Sequence, residues 1–160
     1  MNYYIARVVE AGFDETVAGT VAALKQEGFG VLTDIDVAAT MKQKLGVEFR
    51  PYRILGACNP PLAHEALSAE DKIGVMLPCN VIVQDAGAGK IEVAAIDPRA
   101  AMERIGNPAL SKLAGEVAQR LARPASATAE DHGLMRRRRH SLVRVPARFR
   151  IPARSPLSPS

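Results

Sequence analysis

The fold is decided by residues 80–96, NVIVQDAGAGKIEVAAI. Two runs rich in aliphatic and β-branched residues, 80–84 and 91–96, flank the turn-forming stretch 86–89. Such runs on either side of a glycine-rich turn predict an antiparallel β-hairpin. A purely parallel, doubly wound sheet fits less well, because its buried strands require longer apolar runs.

Upstream of the hairpin, short apolar strands alternate with segments of helical period. The predicted strands cover residues 3–9, 30–33 and 52–57. Each helical segment follows a polar residue that is able to cap it, and the expected N-caps are Asp14, Asp36 and Asn59. We expect the helix after Asn59 to turn Leu62, Ala66 and Leu67 toward the core.

Downstream of the hairpin, the pairs Asp97-Pro98 and Asn107-Pro108 repeat the pattern of a capping residue followed by proline. A last amphipathic helix then follows, with apolar residues up to Leu121. The predicted order is β-α-β-α-β-α-β-β-α. This order favours an α+β two-layer sandwich, in which a mostly antiparallel sheet packs against helices.

Charge divides the chain at residue 123. Residues 1–123, which we expect to form a compact α+β domain, carry 13 Lys and Arg against 15 Asp and Glu. Their net charge is about −2, so this domain is not basic. Residues 124–160 carry 8 Arg against 2 acidic residues, about +6. This Arg- and Pro-rich tail shows no cap and no helical period, so we expect it to be disordered.

The run of four arginines at 136–139 allows several interpretations. It is suited to phosphate contacts with nucleic acid or to contact with an anionic membrane. It is equally typical of a solvated arm, or of an end created by out-of-frame reading of a GC-rich gene. We favour the solvated arm and the out-of-frame end over the two binding roles, because no aromatic residues are interleaved with the arginines.

Composition excludes several classes of protein. No stretch approaches the roughly 18 apolar residues of a transmembrane helix, and no secretory signal is visible. The chain has three Tyr, four Phe and no Trp, too few for a platform that stacks single-stranded bases. Two cysteines without a signal peptide predict reduced thiols and a cytoplasmic location.

Four motifs, taken together and in order, resemble the bacterial family called domain of unknown function 302. They are EGFGVLTDID at 27–36, YRILGACNP at 52–60, LPCNV at 77–81 and IDP at 96–98. The resemblance covers about residues 3–122 and leaves the tail without a counterpart. It implies a small α+β fold and a homodimer, and it implies no activity.

The candidate site residues centre on two Cys-Asn pairs, Cys58-Asn59 and Cys79-Asn80. Cys58 precedes a predicted helix N-terminus, where the helix dipole stabilises a thiolate that can serve as nucleophile, redox sensor or soft-metal ligand. Structural packing is the commoner role for such cysteines. His64 offers a third, weak metal ligand, although a solvated surface histidine is the commoner case.

Two charged residues of the family motifs, Asp34 and Arg53, have no capping role to explain them. A buried ion pair or a ligand contact is open for both. The sequence holds no Ser-His-Asp arrangement in a motif context, no Gly-x-Gly-x-x-Gly and no phosphate loop, and we expect no cofactor.

The leading hypothesis is therefore a small non-catalytic accessory domain. It would form a dimer and bind a small ligand or a protein partner in a groove between the sheet and the helices. The rival hypothesis is a thiol-dependent redox or soft-metal-binding protein that uses Cys58 together with Cys79.

Overall fold

The computed structural model describes residues 2–126, and these form one sheet and the helices that pack on it. The strands are β1 (Tyr4–Glu10), β2 (Gly30–Asp36), β3 (Tyr52–Cys58), β4 (Cys79–Gly87) and β5 (Lys90–Ile96). The helices are α1 (Phe13–Gln26), α2 (Val37–Leu45), α3 (Pro60–Ala69), α4 (Pro98–Met102) and α5 (Pro108–Ser126). Short 3-10 turns occupy Asp71–Met76 and Glu103–Ile105.

All strand pairs are antiparallel, and the strand order is β1-β5-β4-β3-β2. The predicted hairpin is formed by β4 and β5, and the predicted α+β fold is confirmed. The sequence pattern misses α4 as a separate helix, because its five residues are too few to show a helical period.

Capping residues begin most of the helices where the sequence predicts them. The side chain of Asp36 accepts a hydrogen bond from the Ala39 amide at 2.9 Å, and Asn59 accepts one from the Leu62 amide at 3.4 Å. Asp14 is not a cap. Helix α1 starts one residue before it, with Gly12 at the N-cap position and no side-chain cap.

The core lies between one face of the sheet and helices α1, α3 and α5. It is built from the alternate strand residues that point to that face, such as Leu55, Val81 and Val83, together with helix residues such as Leu24 and Leu121. The prediction for α3 is wrong in one position. Ala66 is buried, whereas the side chain of Leu67 is 46% exposed.

Gly56 lies in the middle of β3, on the face of the sheet that the helices leave open, and faces Thr33 of β2 in the strand register. A Cβ atom at this position would overlap the Thr33 hydroxyl and would lie 2.8 Å from Cγ of Pro78. A residue with a side chain therefore does not fit here unless the Thr33 and Pro78 side chains shift.

The boundary predicted at residue 123 falls inside α5, which runs to Ser126 and buries Ala125. The rest of the predicted tail, including its arginine run, lies outside the described residues. Within residues 2–126, no helix is long and apolar enough to cross a membrane.

Candidate functional site

The structure brings Cys58 and Cys79 together. Cys79 begins β4 opposite Ala57, the neighbour of Cys58 in β3, and both thiols line a cavity between the sheet and helices α3 and α5. We call this space the thiol cavity. Its volume is about 30 Å³ and most of its lining is apolar. A cavity of this size has room for roughly one or two water molecules and none for a metabolite.

Burial raises the pKa of the Cys79 thiol to about 11, and the neighbouring Cys58 adds to the shift. The thiolate is the nucleophilic form, so Cys79 is protonated and unreactive at neutral pH. Cys58 is partly exposed, and both cysteines are free. The geometry therefore does not favour Cys79 as the attacking group of a thiol enzyme.

We expect the Cys58→Ser variant, which keeps Cys79 as its one thiol, to resist modification at pH 8. Relative to a thiol of pKa 9.0, a rise to about 11 lowers the thiolate fraction by about a hundredfold. The measurement is the rate of reaction with an aromatic disulfide reagent in buffer and in denaturing urea. Native and unfolded rates that agree within a few-fold would contradict the burial of Cys79.

Asn59 and His64 do not complete a metal site with the thiols. The Asn59 side chain caps α3 and donates from Nδ2 to the carbonyl oxygen of Glu27 at 3.5 Å, which ties α3 to the end of α1. His64 is exposed on α3 and does not line the thiol cavity. Among residues 2–126, no three His, Cys, Asp or Glu side chains are grouped to hold a metal ion.

Asp34 and Arg53 form an ion pair with each other. Arg53 donates from Nε and Nη2 to the two carboxylate oxygens of Asp34 at 2.7 and 2.6 Å, across the β2–β3 pair. The hydrogen bonds from Arg53 hold the pKa of Asp34 below its usual value. The bidentate pair joins the edge strand β2 to its neighbour β3.

This ion pair predicts a dependence of stability on acid. Because the pKa of Asp34 is lowered in the folded state, its contribution is present above the unfolded pKa of about 3.9 and is lost as pH falls through the folded value. We expect the difference in unfolding free energy between the wild type and Arg53→Met to shrink below about pH 4. Urea titrations at several pH values measure it. The exposed Arg104→Met is the control, and a difference that grows in acid would refute the assignment.

Asn80 lies on the opposite side of the sheet from the thiols. Residues directly opposite each other on antiparallel strands point to the same face of the sheet. The strand register therefore identifies the side chains that share the face of Asn80. One row runs across all five strands and is entirely apolar: Ala6, Ala94, Ile82, Ile54 and Ile35. No helix of the described residues covers the centre of this row, where a depression opens to solvent.

We call this depression the open-face groove. Its floor contains Ile82 and Ala94, and its volume is about 410 Å³. The three tyrosines of the chain, Tyr3, Tyr4 and Tyr52, all line it. The rings of Tyr3 and Tyr4 meet edge to face with centroids 4.9 Å apart. The scarce tyrosines are therefore concentrated on one surface.

A chain of polar side chains forms one end of the groove. Arg50 donates from Nε and Nη2 to Oε1 of Gln84 at 3.0 and 2.7 Å, and Nε2 of Gln84 donates to the carboxylate of Glu92. The guanidinium of Arg50 also lies over the rings of Phe49 and Tyr52, 4.7 and 5.4 Å from their centroids. Gln84 is thus held with its oxygen toward Arg50 and its amide nitrogen toward Glu92.

Sequence reasoning finds Asn80 but misses the rest of the groove. The signal in the sequence that could have revealed the groove is the composition of β4 and β5 on the face that points away from the helices. In a sheet with one solvated face, alternate residues should be polar, yet Ile82, Ala94 and Ile96 are apolar at the outward positions. When the outward as well as the inward residues of a strand are apolar, the outer face of the sheet is a candidate for binding a ligand or another surface.

Comparison with known proteins agrees with this fold. A crystal structure of an uncharacterized conserved DUF302 protein from Bacillus stearothermophilus is similar, with a TM-score of 0.73 and 31% sequence identity, over 78% of this chain and 97% of that one. None of the curated proteins matches the chain. The model of the family named domain of unknown function DUF302 matches residues 5–128. The chain therefore belongs to the DUF302 family.

Proposed function

We propose that this chain is a non-catalytic binding domain that holds a small ligand in the open-face groove. The observation that carries the proposal is the groove itself, which combines a volume of about 410 Å³ with an apolar floor and tyrosine walls. Small-molecule sites typically have volumes of roughly 300–1,000 Å³ and are lined by apolar and aromatic groups. The thiol cavity, at about 30 Å³, is too small for this purpose.

The side chains of the groove support binding rather than catalysis. Its polar groups are tyrosine hydroxyls, the amides of Asn80 and Gln84, and one carboxylate, Glu92. A nucleophile activated by a neighbouring base, the usual arrangement for covalent catalysis, is not formed by this set. These groups are suited to orienting a ligand by hydrogen bonds.

The test is an NMR titration of the ¹⁵N-labelled chain with 2-naphthol, a neutral bicyclic aromatic probe. We expect saturable shifts of the backbone amides of β4 and β5 around Ile82 and Ala94. The Ala94→Phe variant, which places a ring on the floor of the groove, should abolish them. Ala39→Phe adds the same ring at an exposed position of α2 and should leave them unchanged.

The spectra themselves show whether each variant is folded, so a loss of binding is separable from a loss of structure. Absence of saturable shifts in the wild type would overturn the proposal. Shifts at Cys58 and Cys79 instead of the groove would overturn it as well, because they would place the ligand in the thiol cavity.

A homodimer through the open face is the second candidate, and the apolar row favours it. The row continues beyond the groove to Ile35, whose side chain is 46% exposed at the β2 edge. Sedimentation of the wild type should then show a dimer that Ile35→Asp dissociates. Val75→Asp, a change at an 85% exposed residue outside the sheet, is the matched control and should leave the dimer intact.

Thiol chemistry at Cys58 and Cys79 remains the rival function, favoured by their shared cavity and opposed by the raised pKa of Cys79. Two free thiols in contact with one cavity are consistent with the reducing cytoplasm, where we place the protein. The Cys79→Ser variant, which keeps the partly exposed Cys58, tests this rival: a Cys58 thiol that reacts no faster than a model thiol at pH 7.5 would contradict it.

A further inference from the structure

We propose that the open-face groove takes an elongated organic cation, an apolar body that carries a protonated amine or a quaternary ammonium group. This inference rests on the proposed function, since it names the chemical class of ligand for the same groove. Two features carry it: a carboxylate at one end of the groove, and an apolar floor that leads from this carboxylate to a pair of tyrosines.

The carboxylate belongs to Glu92, which is half-buried in β5. It accepts a hydrogen bond from Nε2 of Gln84, and among residues 2–126 no lysine, arginine or histidine lies within ion-pair distance of it. A carboxylate has about four acceptor positions, so most of its capacity is open to a ligand. A cation is the partner that satisfies such a group best.

Arg50 is the nearby positive charge; it contacts Gln84 and Tyr52 at the end of the groove but does not itself line the groove. Its Nε and Nη2 donors are both engaged by Gln84, and it lines a shallow depression beside the hairpin turn that shares Gln84 and Glu92 with the groove. Gln84 therefore stands between the two charges and presents its N–H group to Glu92. Arg50 acts here as a positioning residue for Gln84, and Glu92 is the charge that faces the groove.

The aromatic rings suit the same ligand. Tyr52 lies in the same cross-strand row as Gln84 and Glu92, at the charged end of the groove. The negative face of an aromatic ring attracts cations; the Arg50 guanidinium already lies 5.4 Å from the Tyr52 ring centroid, and a ligand ammonium at this end would meet the same ring. Tyr3 and Tyr4 form the other end, beside Ile96. The groove is therefore polar at one end and aromatic at the other.

The length of the groove indicates an elongated ligand. Glu92 and Ile96 are four residues apart on β5, which corresponds to roughly 14 Å at the rise of an extended strand. The floor between them is Ala94 and Ile82, with no charged side chain. A compact inorganic cation would leave this floor exposed to water, whereas an alkyl or aryl body would cover it.

The experiment compares three eight-carbon probes at pH 7.5 by isothermal titration calorimetry with the full chain: octylamine, octanol and octanoate. They present a cation, a neutral hydroxyl and an anion on the same apolar body. We expect octylamine to bind at least tenfold more tightly than octanoate. Glu92→Gln should weaken octylamine about tenfold, to the level of octanol. Glu65→Gln removes an exposed carboxylate from α3 and should change nothing.

Each outcome has a separate meaning. Octanol binding that is equal in the wild type and Glu92→Gln shows that the groove is intact in the variant. Binding of all three probes without a charge preference would overturn the cation assignment and keep the proposed function. Tighter binding of octanoate would also overturn it and would point to Arg50 as the anchor. No binding of any probe would overturn the proposed function itself.

Discussion

Replacing Gly56 with alanine is expected to lower the free energy of unfolding by about 3 kcal/mol, at the upper end of what overpacking costs. The added Cβ would overlap the Thr33 hydroxyl and lie 2.8 Å from Cγ of Pro78. Thr33 lies in β2 and Pro78 directly precedes β4, so the new methyl fits only if the Thr33 hydroxyl rotates away and the Pro78 ring shifts. Urea-induced unfolding of the two proteins measures the loss.

Gly30→Ala is the matched control for this substitution. Gly30 also lies in a strand, but the nearest atom to its added Cβ is the carbonyl oxygen of Cys58 at 4.0 Å, an ordinary contact. We expect a change within about 0.5 kcal/mol. Adding Thr33→Ala to Gly56→Ala should recover part of the loss, since Pro78 stays in place. A Gly56→Ala protein as stable as Gly30→Ala would show that β3 has room for a side chain.

Leu121→Ala is the second substitution with a large expected effect, a loss of about 3 kcal/mol. Leu121 is fully buried in α5, in the cluster that joins this helix to the sheet. Truncation leaves a cavity among side chains that are held by four other elements, so the site has little freedom to collapse. The loss is a large share of the 5–15 kcal/mol that typically stabilises a domain.

The control is the same change at an exposed leucine. Leu45, at the end of α2, is 68% exposed, and alanine is at least as favourable in a helix. Leu45→Ala should therefore alter stability by no more than about 0.5 kcal/mol. Equal losses in both variants, measured by urea unfolding, would mean that α5 is not seated on the sheet as described.

Much of the fold is predictable because local chemistry determines it. The turn at 86–89 determines the hairpin, and Asp36, Asn59 and Asp97 begin helices because their side chains accept amide protons. The start of α1 is predicted wrongly because its N-cap residue has no side chain that could reveal it. Gly12 offers no side-chain signal, so Asp14 in the first turn is mistaken for the cap.

The site is less predictable, because its side chains come from distant parts of the chain. Tyr4, Tyr52 and Glu92 meet only through the strand order β1-β5-β4-β3, which no local pattern specifies. Cys58 and Cys79 are recognisable as a pair from their repeated Cys-Asn context. The size of their cavity and the raised pKa of Cys79 depend on helix packing, which the sequence does not reveal.

The distribution of tyrosines has a consequence for spectroscopy. The chain contains no tryptophan, and Tyr3, Tyr4 and Tyr52 all line the open-face groove. The intrinsic ultraviolet emission of the native protein therefore arises at this one surface and requires no label. A molecule that enters the groove changes the quenching of the phenol rings and therefore the emission intensity, so the protein reports its own occupancy in a fluorimeter.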